Sequence, residues 1–175
     1  GQSVAVCWTG LYEHWLLLLA LEALGLASLS YTRNALTDHP DVFARMDLTI
    51  GPAEARPTQA RKYLTLDDSW RREVAALPAS HRLRWCPQPE DRLVRLHFSS
   101  GTTGSPKQMA RSAAVHRFRI QQFQQKENYP PSSRYLIFHG GFTVQAVHGR
   151  ACACLRSGGC CVDAGADTVQ ALETM

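Results

Sequence analysis

The stretch Leu93-Val94-Arg95-Leu96-His97-Phe98-Ser99-Ser100-Gly101-Thr102-Thr103-Gly104-Ser105-Pro106-Lys107 joins a strand-like run to a loop of five hydroxyl side chains and two glycines. Backbone N–H groups that such a loop leaves unpaired, with hydroxyls beside them, form a concavity suited to phosphate oxygens. Glycine lets the main chain approach a ligand closely, and Lys107 adds a mobile point charge for a polyphosphate. Open α/β sheets place their ligand loops directly after a strand, as here.

The spacing excludes two common phosphate motifs. A Walker A loop needs four residues between its first glycine and a Gly-Lys pair, then Ser or Thr. Here two residues separate Gly101 from Gly104, Pro106 precedes Lys107, and Gln108 follows it. The dinucleotide pattern GxGxxG is not met either. On residue types alone, two readings stand: a phosphate cradle, and a hydroxylated turn that binds nothing.

The chain has 175 residues, 45% hydrophobic and 19% charged, with a net charge of +4. That length suffices for one domain burying roughly 70% of its unfolded surface, and the composition is that of a soluble globular protein. Arg111, Arg117 and Arg119 lie close together without any accompanying nucleic-acid motif, so they read as a solvated face and no nucleic-acid partner is expected. The apolar stretch from Trp15 to Leu29 is broken by Glu22 and Gly25. It falls short of the roughly 20 residues a membrane span needs and lacks the flanks of a signal peptide, so no membrane partner is expected. A chain this rich in core residues does not need disulfide staples, and its six cysteines read as reduced thiols of a cytoplasmic protein. Cys152-x-Cys154 and the neighbours Cys160-Cys161 fit the two-to-four-residue spacing of zinc ligands poorly. Small buried hydrophobes are the reading there, and no metal ligand is assigned.

Strand-like and helix-like segments alternate along the chain. Val4 to Trp8, Ala27 to Tyr31, Asp47 to Ile50, Tyr63 to Leu66, Tyr135 to Phe138 and Cys160 to Val162 read as strands. Leu11 to Leu24 reads as an apolar helix stopped by Gly25, and further helical turns are expected around Asp41 to Arg45 and from Phe142 to Arg156. Residues 51–60 and 78–92 read as surface connections. In Leu93 to Phe98, apolar Val94, Leu96 and Phe98 alternate with Arg95 and His97, which predicts a half-buried strand. Ala113 to Glu127 reads as an amphipathic helix with Val115, Phe118 and Phe123 inward, ended by Pro130-Pro131. The expected class is α/β: a layered, mainly parallel sheet with helices on both faces, in a single unit spanning residues 1–175.

The order Ser-Gly-Thr-Thr-Gly-x-Pro-Lys, met without a gap from Ser100 to Lys107, resembles the phosphate loop of the adenylate-forming enzymes. These are acyl- and aryl-CoA ligases, peptide-synthetase adenylation domains and luciferases. Asp91 falls where the family often has an acidic residue opening the preceding strand. Gly1-Gln2-Ser3-Val4-Ala5 and the Leu19-Ala20 to Gly25 helix end resemble its core opening. Two positions depart: Ser99 stands where Thr is usual, and Gln108 where Gly is usual.

The resemblance implies a Rossmann-like subdomain within the large N-terminal domain of a longer enzyme. It implies activation of a carboxylic acid by ATP with Mg2+, then transfer to coenzyme A or a phosphopantetheinyl carrier protein. Ser99, Ser100, Gly101, Thr102, Thr103, Gly104 and Lys107 would hold the nucleotide, and Lys107 would act in catalysis. His139, in Phe138-His139-Gly140-Gly141, would line the acid pocket, with His148 a weaker candidate. The family's magnesium Glu, ribose Asp and late catalytic Lys are not met by Met175, so the chain is expected to be a piece of that enzyme. The alternative is a nucleotide-binding module that has kept the loop and lost the reaction.

Overall fold

Five residues, Ser3–Cys7 (β1), form the centre of a six-stranded sheet, and their side chains alternate between two cores. Val4 and Val6 face one way and Ala5 and Cys7 the other, all of them buried. In this computed structural model the described residues are 2–78, 87, 89–98, 108–137 and 145–164.

The next elements are Leu11–Ala23 (α1), Ala27–Tyr31 (β2), Ala35–Asp38 (α2), Pro40–Phe43 (α3) and Leu48–Gly51 (β3). They are followed by Tyr63–Thr65 (β4), Asp68–Ala75 (α4), Leu93–Phe98 (β5) and Gln108–Ser112 (β6). Ala113–Glu127 (α5), Arg134–Ile137 (β7), Gln145–Arg156 (α6) and Cys160–Asp163 (β8) complete the described chain.

The strand order is β4-β3-β1-β2-β5-β6, parallel throughout except for β6, which is antiparallel to β5. The chain leaves β1 through α1 to β2 and then returns past β1 to β3. The strand order therefore reverses beside β1, with helices on both faces. Leu18 and Leu21 of α1 pack on Val4 and Val6, while Val42 and Phe43 pack on the face of Ala5, Leu29 and Tyr31.

Helix α1 ends in a Schellman motif: Leu26 N–H donates to Leu21 O and Gly25 N–H to Glu22 O, both at 2.9 Å. Gly25 takes φ +73°, which a side chain would oppose. The same device ends α6 at Gly158, φ +86°. Ser112 caps α5 by accepting from Val115 N–H at 3.3 Å, and Asp67 caps α4 by accepting from Trp70 N–H at 2.8 Å.

A second, two-stranded parallel sheet pairs β7 with β8. It joins the first through a shared core, since Ile137 and Ala151 belong with Val4, Val6 and Leu21. Asp163 at the end of β8 accepts from Leu11 N–H at 3.2 Å, placing a carboxylate at the start of α1.

Three expectations change. Strand β5 is covered on both faces, because Arg95 and His97 are as buried as Val94 and Leu96. In α5 the inward residues are Ala113, His116 and Ile120, whereas Val115 and Phe118 are exposed; Phe123 is half-buried, against α6. Cys160 is exposed rather than core. The described cysteines, Cys7, Cys152, Cys154, Cys160 and Cys161, are free.

Candidate functional site

Parallel pairing sets Ser28 opposite Arg95 and Leu29 opposite Leu96, so β5 points the same way as β1, β2 and β3. Its last residue, Phe98, therefore stands at the carboxyl edge of the parallel sheet. Strand β6 starts back from that edge, with Gln108 opposite Phe98. The two ends that bracket the Ser99 to Lys107 loop are thus fixed where ligand loops of open α/β sheets stand. Ser99, Ser100, Gly101, Thr102, Thr103, Gly104, Lys107 and His139 themselves lie outside the described residues. Gln108 is the first residue of a paired strand, half-buried, rather than part of the loop.

At the same edge, where the strand order reverses, lies a crevice of about 750 Å3. Trp8 and Thr9 after β1, Thr32, Arg33 and Asn34 after β2, Pro52 and Glu54 after β3, and Arg71 of α4 line it. Both guanidiniums are already paired. Arg71 makes two 3.1 Å bonds to the Glu13 carboxylate and a third, at 3.2 Å, to Asp68, and Arg33 pairs with Glu54. Thr9 Oγ1 also donates to Glu13, at 3.1 Å. With its cations matched by carboxylates, the crevice offers shape and hydroxyls rather than an anion grip.

Between the sheet and helices α5 and α6 lies a buried polar layer. Arg95 donates from Nη1 to Ser28 Oγ at 2.9 Å and from Nη2 to Ser30 Oγ at 3.1 Å. His14, fully buried, stands at 2.9 Å from Ser30 Oγ through Nε2 and at 3.2 Å from Cys7 O through Nδ1. Burial, with the nearby Arg95 charge, pushes His14 down to about 3. His97 and His116 fall to about 4 for the same two reasons, with Arg111 adding to the effect, and His148 is held well below its ordinary value. Burial lowers Arg95 to about 10, which leaves it a cation at neutral pH.

His116, His148 and Cys152 come together in this layer, with their ligand atoms all within 4.8 Å of one another. The His116 and His148 rings stack with centroids 5.3 Å apart, and Cys152 Sγ is 3.6 Å from His148 Nε2. Spacing along the sequence pointed to cysteine pairs and missed this group. The signal present was His148-x-x-x-Cys152, four apart on one helix face; His116 comes from another helix.

No family model matches this chain, and no curated protein matches it. Solved structures do. Acetoacetyl-CoA synthetase from Streptomyces lividans superposes with a TM-score of 0.71 at 17% identity, over 95% of this chain and 30% of its own. The inhibitor-bound N-terminal domain of FACL13 from Mycobacterium tuberculosis gives 0.73 at 17% identity, over 93% of this chain and 44% of its own. ATP-bound MatB from Rhodopseudomonas palustris gives 0.73 at 19%, over 99% of this chain and 37% of its own. The chain spans less than half the length of each of these structures. Their shared architecture is the conclusion these likenesses carry: this chain has the fold of the N-terminal domain of the adenylate-forming enzymes.

Proposed function

We propose that this chain supplies the nucleotide-gripping part of an AMP-forming acid–thiol ligase, as part of that enzyme's large N-terminal domain. Two observations support the reading: the residue order Ser100-Gly101-Thr102-Thr103-Gly104-Ser105-Pro106-Lys107, and the position of the chain on either side of it, Phe98 ending β5 and Gln108 opening β6 at the carboxyl edge of the parallel sheet. The likeness to ATP-bound MatB and to acetoacetyl-CoA synthetase supports it at the level of fold.

In the proposed reaction a carboxylate oxygen attacks the α-phosphorus of ATP, and the bond to pyrophosphate breaks. A thiol, of coenzyme A or of a carrier protein, then takes the acyl group and AMP leaves. Charge develops on the departing pyrophosphate. The hydroxyls of Ser99, Ser100, Thr102 and Thr103, the N–H groups at Gly101 and Gly104, and the Lys107 ammonium are suited to stabilise that charge. Mg2+ would neutralise phosphate oxygens as it arrives with ATP; no residue of this chain is assigned to it. His139, two residues beyond the end of β7, is proposed to line the acid pocket. Such an enzyme is proposed to work in the cytoplasm, consistent with the free thiols.

A second reading, a nucleotide-binding module without the reaction, is favoured by Gln108, whose place in β6 anchors the loop exit to Phe98. One experiment separates the two. In the full-length protein, carboxylate-dependent exchange of pyrophosphate into ATP is expected, with Lys107→Ala slowing it by roughly 100-fold or more. ATP binding without any exchange would favour the module, and exchange untouched by Lys107→Ala would remove the role given to that lysine.

A further inference from the structure

We propose that His116, His148 and Cys152 form a binding site for a thiophilic transition-metal ion, held by two imidazole nitrogens and one thiolate. The inference stands apart from the ligase reading, since it uses neither the loop nor the crevice.

Geometry carries it first. His148 and Cys152 are four residues apart on α6 and so share a face. Helix α5 brings His116 against them, and the two helices approach closely because Gly149 has no side chain: a Cβ there would stand 2.7 Å from the Phe123 ring. A tetrahedral metal with bonds of about 2.0–2.1 Å to nitrogen and about 2.3 Å to sulfur sets its ligand atoms roughly 3.5 Å apart. The His148 Nε2 to Cys152 Sγ separation, 3.6 Å, is already at that spacing. Bringing His116 in from within 4.8 Å requires a side-chain shift of about an ångström.

The donor chemistry selects the ion. The group contains nitrogen and sulfur and no carboxylate, which disfavours calcium and magnesium and suits zinc or copper(I). Burial keeps both histidines neutral, the form that offers a lone pair to a metal. Burial also raises the Cys152 thiol to about 12, with the nearby Arg95 guanidinium acting the other way. The metal-free thiol is therefore protonated, and binding releases its proton as the sulfur–metal bond forms. The Arg95 charge on the same layer then faces a thiolate. Three protein ligands leave one tetrahedral position open.

The test uses full-length protein carrying no polyhistidine tag, stripped with a chelator. It is titrated with Zn2+, with Co2+ as an optical stand-in for zinc, and, under anaerobic conditions, with Cu+. One equivalent is expected for zinc or for copper(I), with a thiolate-to-metal absorption band in the cobalt form. Cys152→Ser is expected to abolish that band and weaken binding by about 100-fold or more, since even outer-shell changes cost 10–100-fold. His116→Gln is expected to weaken binding likewise, whereas Cys160→Ser, at an exposed thiol on β8, leaves it intact. Should Cys152→Ser fail to fold, alkylation mapping of the unaltered protein reads the same site, because bound metal protects Cys152 and not Cys160. Absence of stoichiometric binding by any of these ions overturns the proposal. So does binding that survives both Cys152→Ser and His116→Gln, or binding without protection of Cys152.

Discussion

Arg95 donates from Nη2 to Ser30 Oγ at 3.1 Å, and that bond fixes the direction of the hydrogen bonds behind it. A guanidinium has no acceptor, so Ser30 must accept from it. The Ser30 proton is then available to His14 Nε2, 2.9 Å away. Nδ1 of His14 faces the Cys7 carbonyl, which only accepts, so the ring carries its proton on Nδ1. The relay runs from β5 through β2 to α1 and ends on β1. It ties a buried cation to the centre of the sheet with every partner in a defined role.

Ser30→Ala should therefore cost more than a surface serine. It strips one acceptor from a buried guanidinium and one donor from a buried imidazole. Leaving buried polar groups unsatisfied costs about 1–3 kcal/mol each, so a loss near 2 kcal/mol is expected after partial relaxation. Urea unfolding of the two proteins measures it. An unchanged midpoint would mean that the relay contributes nothing to stability.

The same relay predicts acid sensitivity with a definite sign. His14 sits at about 3 in the folded chain, lowered by burial and by the facing Arg95 charge, against about 6.5 when unfolded. The unfolded chain takes up the proton first. Stability from this group is thus complete above pH 6.5 and declines as pH falls from 6.5 towards 3, by about 1.4 kcal/mol per pH unit. His14→Gln should make the decline shallower by one proton's worth between pH 6.5 and 5. Equal slopes for the two proteins would refute the assignment.

Thr49 makes the opposite case. Its hydroxyl is buried in β3, 1% exposed, and finds no hydrogen-bond partner among the described residues. Valine keeps the branched shape that suits a strand and removes the unmatched oxygen. Thr49→Val should raise stability by about 1 kcal/mol. A thermal midpoint that falls would show that the oxygen is satisfied after all.

The sequence revealed the frame better than the faces. Ala27–Tyr31, Leu93–Phe98 and Ala113–Glu127 have the bounds expected for them; α5 starts at its Ser112 cap and ends on Asn128, left-handed at φ +46°, two residues before Pro130-Pro131. The inward face of α5 was hidden because what lies beneath it is polar. Hydrophobic periodicity favours Val115 and Phe118, while the layer around Arg95 and His97 takes His116 instead. Strand β6 was missed for a related reason: Gln108 to Ser112 has no β-branched or aromatic residue, and pairing with the edge of β5 makes it a strand. Of the site, residue order in the loop was legible, and the strands on either side of it are now placed. The His116, His148 and Cys152 group depends on how two helices meet, which no local pattern records.

Two glycines should respond differently to the same substitution. A Cβ at Gly51 would stand 2.7 Å from Cys7 Cβ and 2.9 Å from the Tyr63 hydroxyl. Cys7 Cβ is fixed by the central strand, and Tyr63 is held by its bond to the Pro52 carbonyl at 2.5 Å. Neither can yield, so Gly51→Ala should destabilise by about 1–3 kcal/mol through overpacking. At Gly149 the obstacle is the Phe123 ring edge, also at 2.7 Å, on a half-buried side chain that carries Arg150 over its face. That ring can swing outward, and alanine gains roughly 1 kcal/mol of helix propensity over glycine. Gly149→Ala should thus be near neutral. Chemical denaturation of both variants checks the contrast, and a loss at Gly149 as large as that at Gly51 would mean that the α5–α6 contact is as rigid as the sheet.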